Sequence, residues 1–346
     1  MTPTSRRQWV KGAMALFLAA GLVSLVTFNA AKPRIMIVHS LSQGSSWTAP
    51  VDQGMRAALA ANRIPVWVTR DYLNLDLLSA GADRAALASG LRRRIDSIQP
   101  HALILVDDEA NELIGRHYAQ FPSGMSIIYT GLLGDPRHYG YGDPSVVIGV
   151  REALPLDAIS QVIGLTHKAR PLRIAIVGAA TLTGLAEMQQ VQAHTWAPHE
   201  IVASESVPHF KAWKRFVEGP ARSADVLIAL TMDNLAHDES KPTSVPEEEV
   251  ARWTEKHAVP LAIGIRPSYV QFGGALAVSA PPKEYGQVAV ELALKRVANP
   301  QFTPPGGHLT LDSYNLSMRL SALERRSVSL PPIYREAARA SGNLYR

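Results

Sequence analysis

The 346-residue chain contains no cysteine. That absence excludes a disulfide framework, a thiolate metal site, a thiol nucleophile and a lipid-modified cysteine. Any attachment to a membrane must be made by the polypeptide itself. An excess of one charge is missing as well: 35 Lys and Arg stand against 30 Asp and Glu, a formal net charge of +5. Arg6, Arg7 and Lys11 lie in the N-terminal leader, and the remaining basic residues are scattered among acids. With no basic patch, nucleic acid is not expected as a partner. Diagnostic enzyme motifs are absent too. There is no G-x-S-x-G and no G-x-x-x-x-G-K-[ST], and "SQGSSW" (42–47) lacks the glycine spacing of a dinucleotide loop. His194, His199 and His209 lack the i, i+4 spacing of a helical ligand pair, so neither a metal nor a cofactor is expected.

What is present begins with the leader. "SRRQWVK" (5–11) precedes an uncharged run over 12–31, the charged flank and apolar stretch of an export signal. Arg6 and Arg7 with Trp9 resemble the twin-arginine motif. As a helix, 12–28 would span roughly 25 Å, short of a hydrocarbon core of about 30 Å. In "FNAAKP" (28–33), Ala30 and Ala31 suit cleavage, but Phe28 or Asn29 stands where a second small residue is preferred. The segment 1–31 is therefore compatible with a cleaved signal and with a retained anchor, and membrane contact is expected only there.

Beyond Pro33, 47% hydrophobic and 19% charged residues give a globular balance, and the length exceeds one ordinary core. Short Val- and Ile-rich runs ("RIMIVHS", "PVWVTR", "ALILVDD", "SIIYTG", "SVVIGV") alternate with amphipathic segments such as "VDQGMRAALAA", where Val51, Met55, Ala58 and Leu59 share one face. Thr48 and Pro50 suggest the start of that helix. The alternation restarts after Gly149 and runs to "GALAVSA" (274–280). Two α/β lobes with doubly wound parallel sheets follow from this plan.

In such sheets, ligands bind beyond the carboxyl ends of the strands. The polar residues there are Ser40, Ser42, Gln43, Ser45, Ser46 and Trp47; Asp107 and Asp108; Tyr129, Thr130 and Gly131; Thr181 and Thr183; Asp233 and Asn234; and Arg266, Ser268 and Tyr269. Small polar residues admit close approach and hydrogen bonds, and a Trp supplies a flat apolar wall. One of Asp107 and Asp108 is expected to face a ligand amine and the other to cap the next helix. Arg266 could clamp a carboxylate or pin the lobes through a salt bridge. Trp47 could equally belong to the core.

The order "IMIVHS…SSWTAPVDQGMRAAL", "ILVDDEA…IIYTGLLGDP", "VVIGVREALPLDAISQVIGL", "AIVGAATLTG" and "PPKEYGQVAVELALKRVANP" resembles the ABC-transporter substrate-binding protein family of the type I periplasmic binding fold. It is also similar to related extracytoplasmic sensor domains of bacterial kinases, to which "HSLSQGSSWT" is closer. The resemblance implies two lobes joined by crossing strands: a first lobe of 32–149 plus 281–305, a second of 150–280, and a segment 306–346 returning across both. It implies a periplasmic, non-enzymatic protein that holds a small-molecule ligand between its lobes for an ABC permease or a membrane sensor. An exported enzyme of similar architecture is the alternative. From the leader, replacing both Arg6 and Arg7 with Lys is expected to block export, read as accumulation of the unprocessed chain in the cytoplasm; normal export would leave an ordinary secretory signal.

Overall fold

The computed structural model describes residues 3–30, 32–78, 83–121, 124–167 and 171–346. In chain order the strands are β1 (Arg34–His39), β2 (Trp67–Tyr72), β3 (Ala102–Val106), β4 (Ser126–Leu132), β5 (Val147–Arg151), β6 (Arg173–Ala179), β7 (Glu200–Val207), β8 (Val226–Ala229), β9 (Leu261–Gly264), β10 (Leu276–Ser279), β11 (His308–Thr310), β12 (Asn315–Arg319) and β13 (Leu344–Tyr345). They form two sheets, ordered β11-β5-β4-β3-β1-β2 and β13-β12-β10-β9-β8-β6-β7. The first is parallel throughout. The second is parallel except where β12 runs antiparallel to β10, because the chain enters it there from the first lobe instead of through a helical crossover.

The strands are buried on both faces, which is why they read as unbroken apolar runs. Alternate residues point to opposite sides. Ile35, Ile37 and Ile104 enter one core of the first lobe, and Met36, Val38, Leu103 and Leu105 enter the other. The second sheet repeats the device with Ile174 and Ile176 against Ala175 and Val177. Both sheets share one winding: β2-β1-β3-β4-β5 and β7-β6-β8-β9-β10. Strand order therefore reverses between β1 and β3 in one lobe and between β6 and β8 in the other, and a crevice opens at each switch point.

The chain passes between the lobes three times: after Arg151, after Ser279 and after Thr310. Val150 and Arg151 still belong to the first sheet, and 306–346 supplies β11 to the first sheet but β12 and β13 to the second. After the second passage the helix Pro282–Ala298 packs on the helix Thr48–Ala61 of the first lobe. Their backbones touch through two glycines. A Cβ on Gly54 would lie 1.8 Å from the Lys283 carbonyl oxygen, and one on Gly286 would lie 2.0 Å from that of Val51.

The N-terminal helix spans Pro3–Ala30. Its segment Gly12–Asn29 has a mean hydropathy of 1.8 and none of it is buried; among the described residues it is the one helix long and apolar enough to cross a membrane. The side chains of Arg6 and Arg7 lie outside the described residues.

Because Gly286 meets backbone rather than a yielding side chain, Gly286→Ala should destabilise the fold by about 1–3 kcal/mol or more through overpacking. Chemical denaturation checks this; an unchanged midpoint would show that the helices separate freely.

Candidate functional site

The loop after β1 is built by its own serines. Ser40 Oγ donates to the Val106 carbonyl (2.8 Å) and accepts from the Ala110 amide (2.9 Å), tying the end of β1 to the turn after β3. Ser42 donates its amide and hydroxyl to the two oxygens of Asp76 (2.7 and 2.6 Å). Ser45 Oγ accepts from the Thr48 amide (3.0 Å), so Ser45, not Thr48, satisfies the exposed amide at that helix start. Trp47 is thereby carried inward to 5% exposure. Its indole Nε1 donates to Asp107 Oδ1 (2.5 Å), its ring lies 6.5 Å from that of Tyr285, and the Arg266 guanidinium of the second lobe sits 4.6 Å from its centroid. Trp47 thus closes the first-lobe core and walls the cleft at once.

After β3 the chain turns sharply, with Asp107 at φ +71°. This left-handed conformation is tolerated by Asp and Asn at a cost of order 1 kcal/mol, and such strain concentrates at functional sites. Here it swings the carboxyl into the cleft. Gly131 faces it at φ +65°, where a Cβ would lie 2.9 Å from Asp107 Oδ1, 3.3 Å from Trp47 Cζ2 and 3.6 Å from Glu152 Oε2. Glycine is needed there both for its dihedral and for the space. Three buried polar atoms at this convergence have no partner: Asp107 Oδ2, Glu152 Oε2 and Arg266 Nε. A buried polar group left unpaired costs about 1–3 kcal/mol, more when charged.

The second lobe brings Arg266 after β9. Its Nη2 donates to Glu187 Oε1 (2.8 Å), while Glu187 Oε2 accepts from the Thr231 amide (2.8 Å). Thr231 Oγ1 donates to Asp233 Oδ2 (3.2 Å). Hydrogen bonds bridge the lobes at the cleft, among them Thr183 Oγ1 to Glu109 Oε2 (3.0 Å) and Ser46 Oγ to Glu247 Oε2 (2.8 Å). Glu247 Oε1 also accepts from Ser268 Oγ (2.5 Å). Between the lobes lies a cavity of about 20 Å³ lined by Leu41, Trp47, Asp107, Glu109, Gly131, Thr181, Thr183, Thr231, Asp233, Asn234 and Arg266, room for about one water. Asp233 and Asn234 also line a wider groove of about 550 Å³ at its mouth, with Ser46, Asp76, Glu247 and Glu248.

Of the residues singled out in the sequence, the structure brings Trp47, Asp107, Gly131, Thr181, Thr183, Asp233 and Arg266 to the inner cavity and Ser46 to its mouth. Thr181 also caps its helix, accepting from the Gly184 amide. Gln43 is exposed on the loop, and Ser42 faces Asp76. Four expectations are corrected. Asp108 caps no helix; it accepts from the Leu133 and Gly134 amides and the Tyr139 hydroxyl (3.2, 2.9 and 2.7 Å), fixing the β4 exit. Tyr129 stacks on Tyr141 in the core. Thr130 donates to the Tyr285 carbonyl (3.1 Å). Tyr269 is fully buried in the second lobe, since its side chain continues inward while the backbone turns at Arg266. Glu109, Glu152, Glu187 and Glu247 were not anticipated. Glu187 was detectable: Gly184, Glu187, Met188 and Val191 share a buried helix stripe, and an acid on such a stripe needs a partner.

Burial dominates the acid chemistry. It pushes Asp107 well above the ordinary carboxylate range, aided by Glu109, and raises Glu152 to about 8 and Glu187 to about 7 against the pull of Arg266. Glu247 rises to about 7 through burial and the nearby Asp233.

The sequence matches no family model and no curated protein. Solved structures do share its shape. A conserved domain protein from Vibrio cholerae superposes with a TM-score of 0.64 at 13% identity, covering 91% of this chain and 100% of that one. An ABC domain in complex with L-Trp from Streptococcus pneumonia gives 0.64 at 12% identity, with 89% and 98% covered. A substrate-binding protein with adhesive properties from Clostridium difficile gives 0.60 at 13% identity, with 90% and 98% covered. The chain therefore has the two-lobe architecture of the type I periplasmic binding fold, at identities that establish fold alone.

Raised carboxyl pKa values have a definite sign in stability. Glu152 and Glu187 bind protons more tightly folded than unfolded, so their contribution is complete below about pH 4.5 and is lost as pH rises through about 7 and 8. Asp52, held at about 2 where His39 and Tyr72 hydrogen-bond to it, acts in the opposite sense but below about pH 4. The stability of the protein without added solute should fall by about 2 kcal/mol or more between pH 5 and pH 8.5, since each tenfold difference in proton affinity between the folded and unfolded chain is worth about 1.4 kcal/mol. Denaturation midpoints across that range test it. Glu152→Gln should flatten the curve, and an equally steep curve in that variant would remove Glu152 as a source.

Proposed function

We propose that the chain is a periplasmic solute-binding protein, the capture component of an ABC importer, holding a small polar metabolite between its lobes. The observation that carries this reading is the set of unpartnered buried atoms, Asp107 Oδ2, Glu152 Oε2 and Arg266 Nε, at the place where the switch-point loops of both lobes converge. A solute touching both lobes supplies the differential contacts that favour closure. The small-molecule ligand and substrate-binding role carried in the names of its structural neighbours support the same class. The residues that would meet the solute are Trp47, Asp107, Gly131, Thr183, Asp233 and Arg266, joined by Glu152.

Entry of any metabolite larger than the 20 Å³ cavity requires the lobes to part. The hinge falls at the three interlobe passages, where Gln190 of the second lobe accepts from the Leu154 amide (3.0 Å) and donates to the Leu133 carbonyl (3.0 Å). A second reading, a ligand sensor working with a membrane receptor, draws on the short link. Three residues separate the helix Pro3–Ala30 from β1 at Arg34, so a retained helix would hold the first lobe against the bilayer. A cleaved chain free in the periplasm would favour capture, and a membrane-bound full-length chain would favour sensing.

A metabolite screen by thermal shift tests binding, since a ligand at 100 times its Kd adds about 2.7 kcal/mol. Any compound found should compact the protein in small-angle scattering. Trp47→Ala should both weaken that compound's binding by about 2 kcal/mol and lower stability by about 3–5 kcal/mol. An unchanged radius with a bound compound would remove the closing-lobe reading.

A further inference from the structure

We infer that the solute carries a net positive charge, and that its cationic head is a primary ammonium or guanidinium group seated between Asp107 and Glu152 near Gly131. This rests on the solute-binding reading above and names its ligand class. The geometry begins with two oxygens, Asp107 Oδ2 and Glu152 Oε2, both acceptors, both without a partner, on side chains 6% and 2% exposed. Gly131 stands between the two carboxyl groups, since a Cβ on it would lie 2.9 Å from Asp107 Oδ1 and 3.6 Å from Glu152 Oε2, so both acids border the same small space. Two converging acceptors call for a ligand group with two or more N–H donors.

The charge balance points the same way. Asp107 and Glu109 arrive after β3, Glu152 after β5, Glu187 from the helix after β6, and Asp233 after β8. Glu247 adds a sixth carboxyl at the mouth. Among the described residues lining the cavity, Arg266 is the one cation, and its charge is already met by Glu187 at 2.8 Å. A carboxylate-bearing or anionic solute would deepen this imbalance, whereas a cation relieves it. A quaternary ammonium would not serve. It has no N–H to give Asp107 and Glu152, and the face of Trp47 that could cradle it is covered by Arg266 at 4.6 Å. The remainder of the solute has a path outward, because Asp233 and Asn234 join the inner cavity to the acidic groove that holds Asp76 and Glu247.

Cation binding must also release protons. Burial raises both Asp107 and Glu152, the latter to about 8, so Glu152 holds its proton near neutral pH, and a cation placed between the two favours their ionised forms. Affinity should therefore increase as pH rises from 6 to 8.5.

The test is isothermal titration calorimetry of the full chain with agmatine and 1,4-diaminobutane, against choline, D-glucose, succinate and L-tryptophan, in phosphate and in HEPES. The diamine or the guanidine should bind, with an enthalpy that differs between the buffers because protons are released. Asp107→Asn and Glu152→Gln should each weaken that binding about thirtyfold or more, as expected when one partner of a buried charge pair is removed. Asn keeps the left-handed turn and an oxygen for the Trp47 indole. Each variant should also melt higher than the parent at pH 8, since an uncompensated buried charge is gone. A lower melting temperature in both would show that the carboxylates are structural and overturn the assignment. Tighter binding of glucose, succinate or L-tryptophan than of either amine, with compaction, would overturn the cation while leaving solute binding in place. Binding by none of the six would overturn the cation as well; failure of the solute-binding reading is distinguished by a bound compound that leaves the scattering radius unchanged.

Discussion

One guanidinium holds the cleft together. Arg266 reaches from the second lobe to lie over the Trp47 ring of the first, while its Nη2 engages Glu187. Burying a cation is costly unless charges and hydrogen bonds surround it, and the surrounding acids are themselves buried. Each group is tolerable only because the others are present. Removing Arg266 would leave Glu187, Glu152, Asp233 and Asp107 facing one another without a counter-charge. The convergence of the two lobes is therefore an electrostatic arrangement as much as a packing one, and it remains incomplete: the acids outnumber the base, and Arg266 Nε itself has no partner.

That arrangement depends on backbone features placed well outside it. Ser40 fixes the turn where Asp107 takes its left-handed conformation, and Asp108 fixes the exit of β4, which positions Gly131. The contact between Gly54 and Gly286 seats the helix Pro282–Ala298 on the first lobe, and with it Tyr285, which stands beside Trp47. Residues that looked like ligand contacts are in part the supports that allow others to be contacts. The adjacent acids show the division: Asp107 faces the cleft with one oxygen unpaired, and Asp108, also buried, accepts three hydrogen bonds from its own lobe.

The shared winding of the two sheets explains why the acids gather. Each lobe offers one crevice where its strand order reverses, and the three passages of chain place these crevices face to face. Loops after β1, β3, β6 and β8 then meet without any being long. The cleft needs no dedicated insertion, and its chemistry is set by a handful of residues, most of them within four positions of a strand end, with Trp47 and Glu187 each eight positions beyond theirs.

The two α/β lobes were legible in the chain alone, because strands buried on both faces must be continuous apolar runs and their crossover helices must be amphipathic. The strand ends were marked as well, and through them Trp47, Asp107, Gly131, Thr183, Asp233 and Arg266, since polar residues directly after a buried strand have few other places to go. Which of these face the cleft was settled by packing in three dimensions. Tyr129 and Thr130 precede Gly131 in the same strand, yet one enters the core and the other bonds to Tyr285, a choice made by strand twist and by the neighbour across the sheet. Glu152 and Glu247 were invisible as site residues: one sits in an interlobe passage and the other in the first turn of a helix, where acids are ordinary. Their meeting with Arg266 depends on how two separately folded lobes face each other, and long-range charge pairing of that kind leaves no periodic trace in the chain.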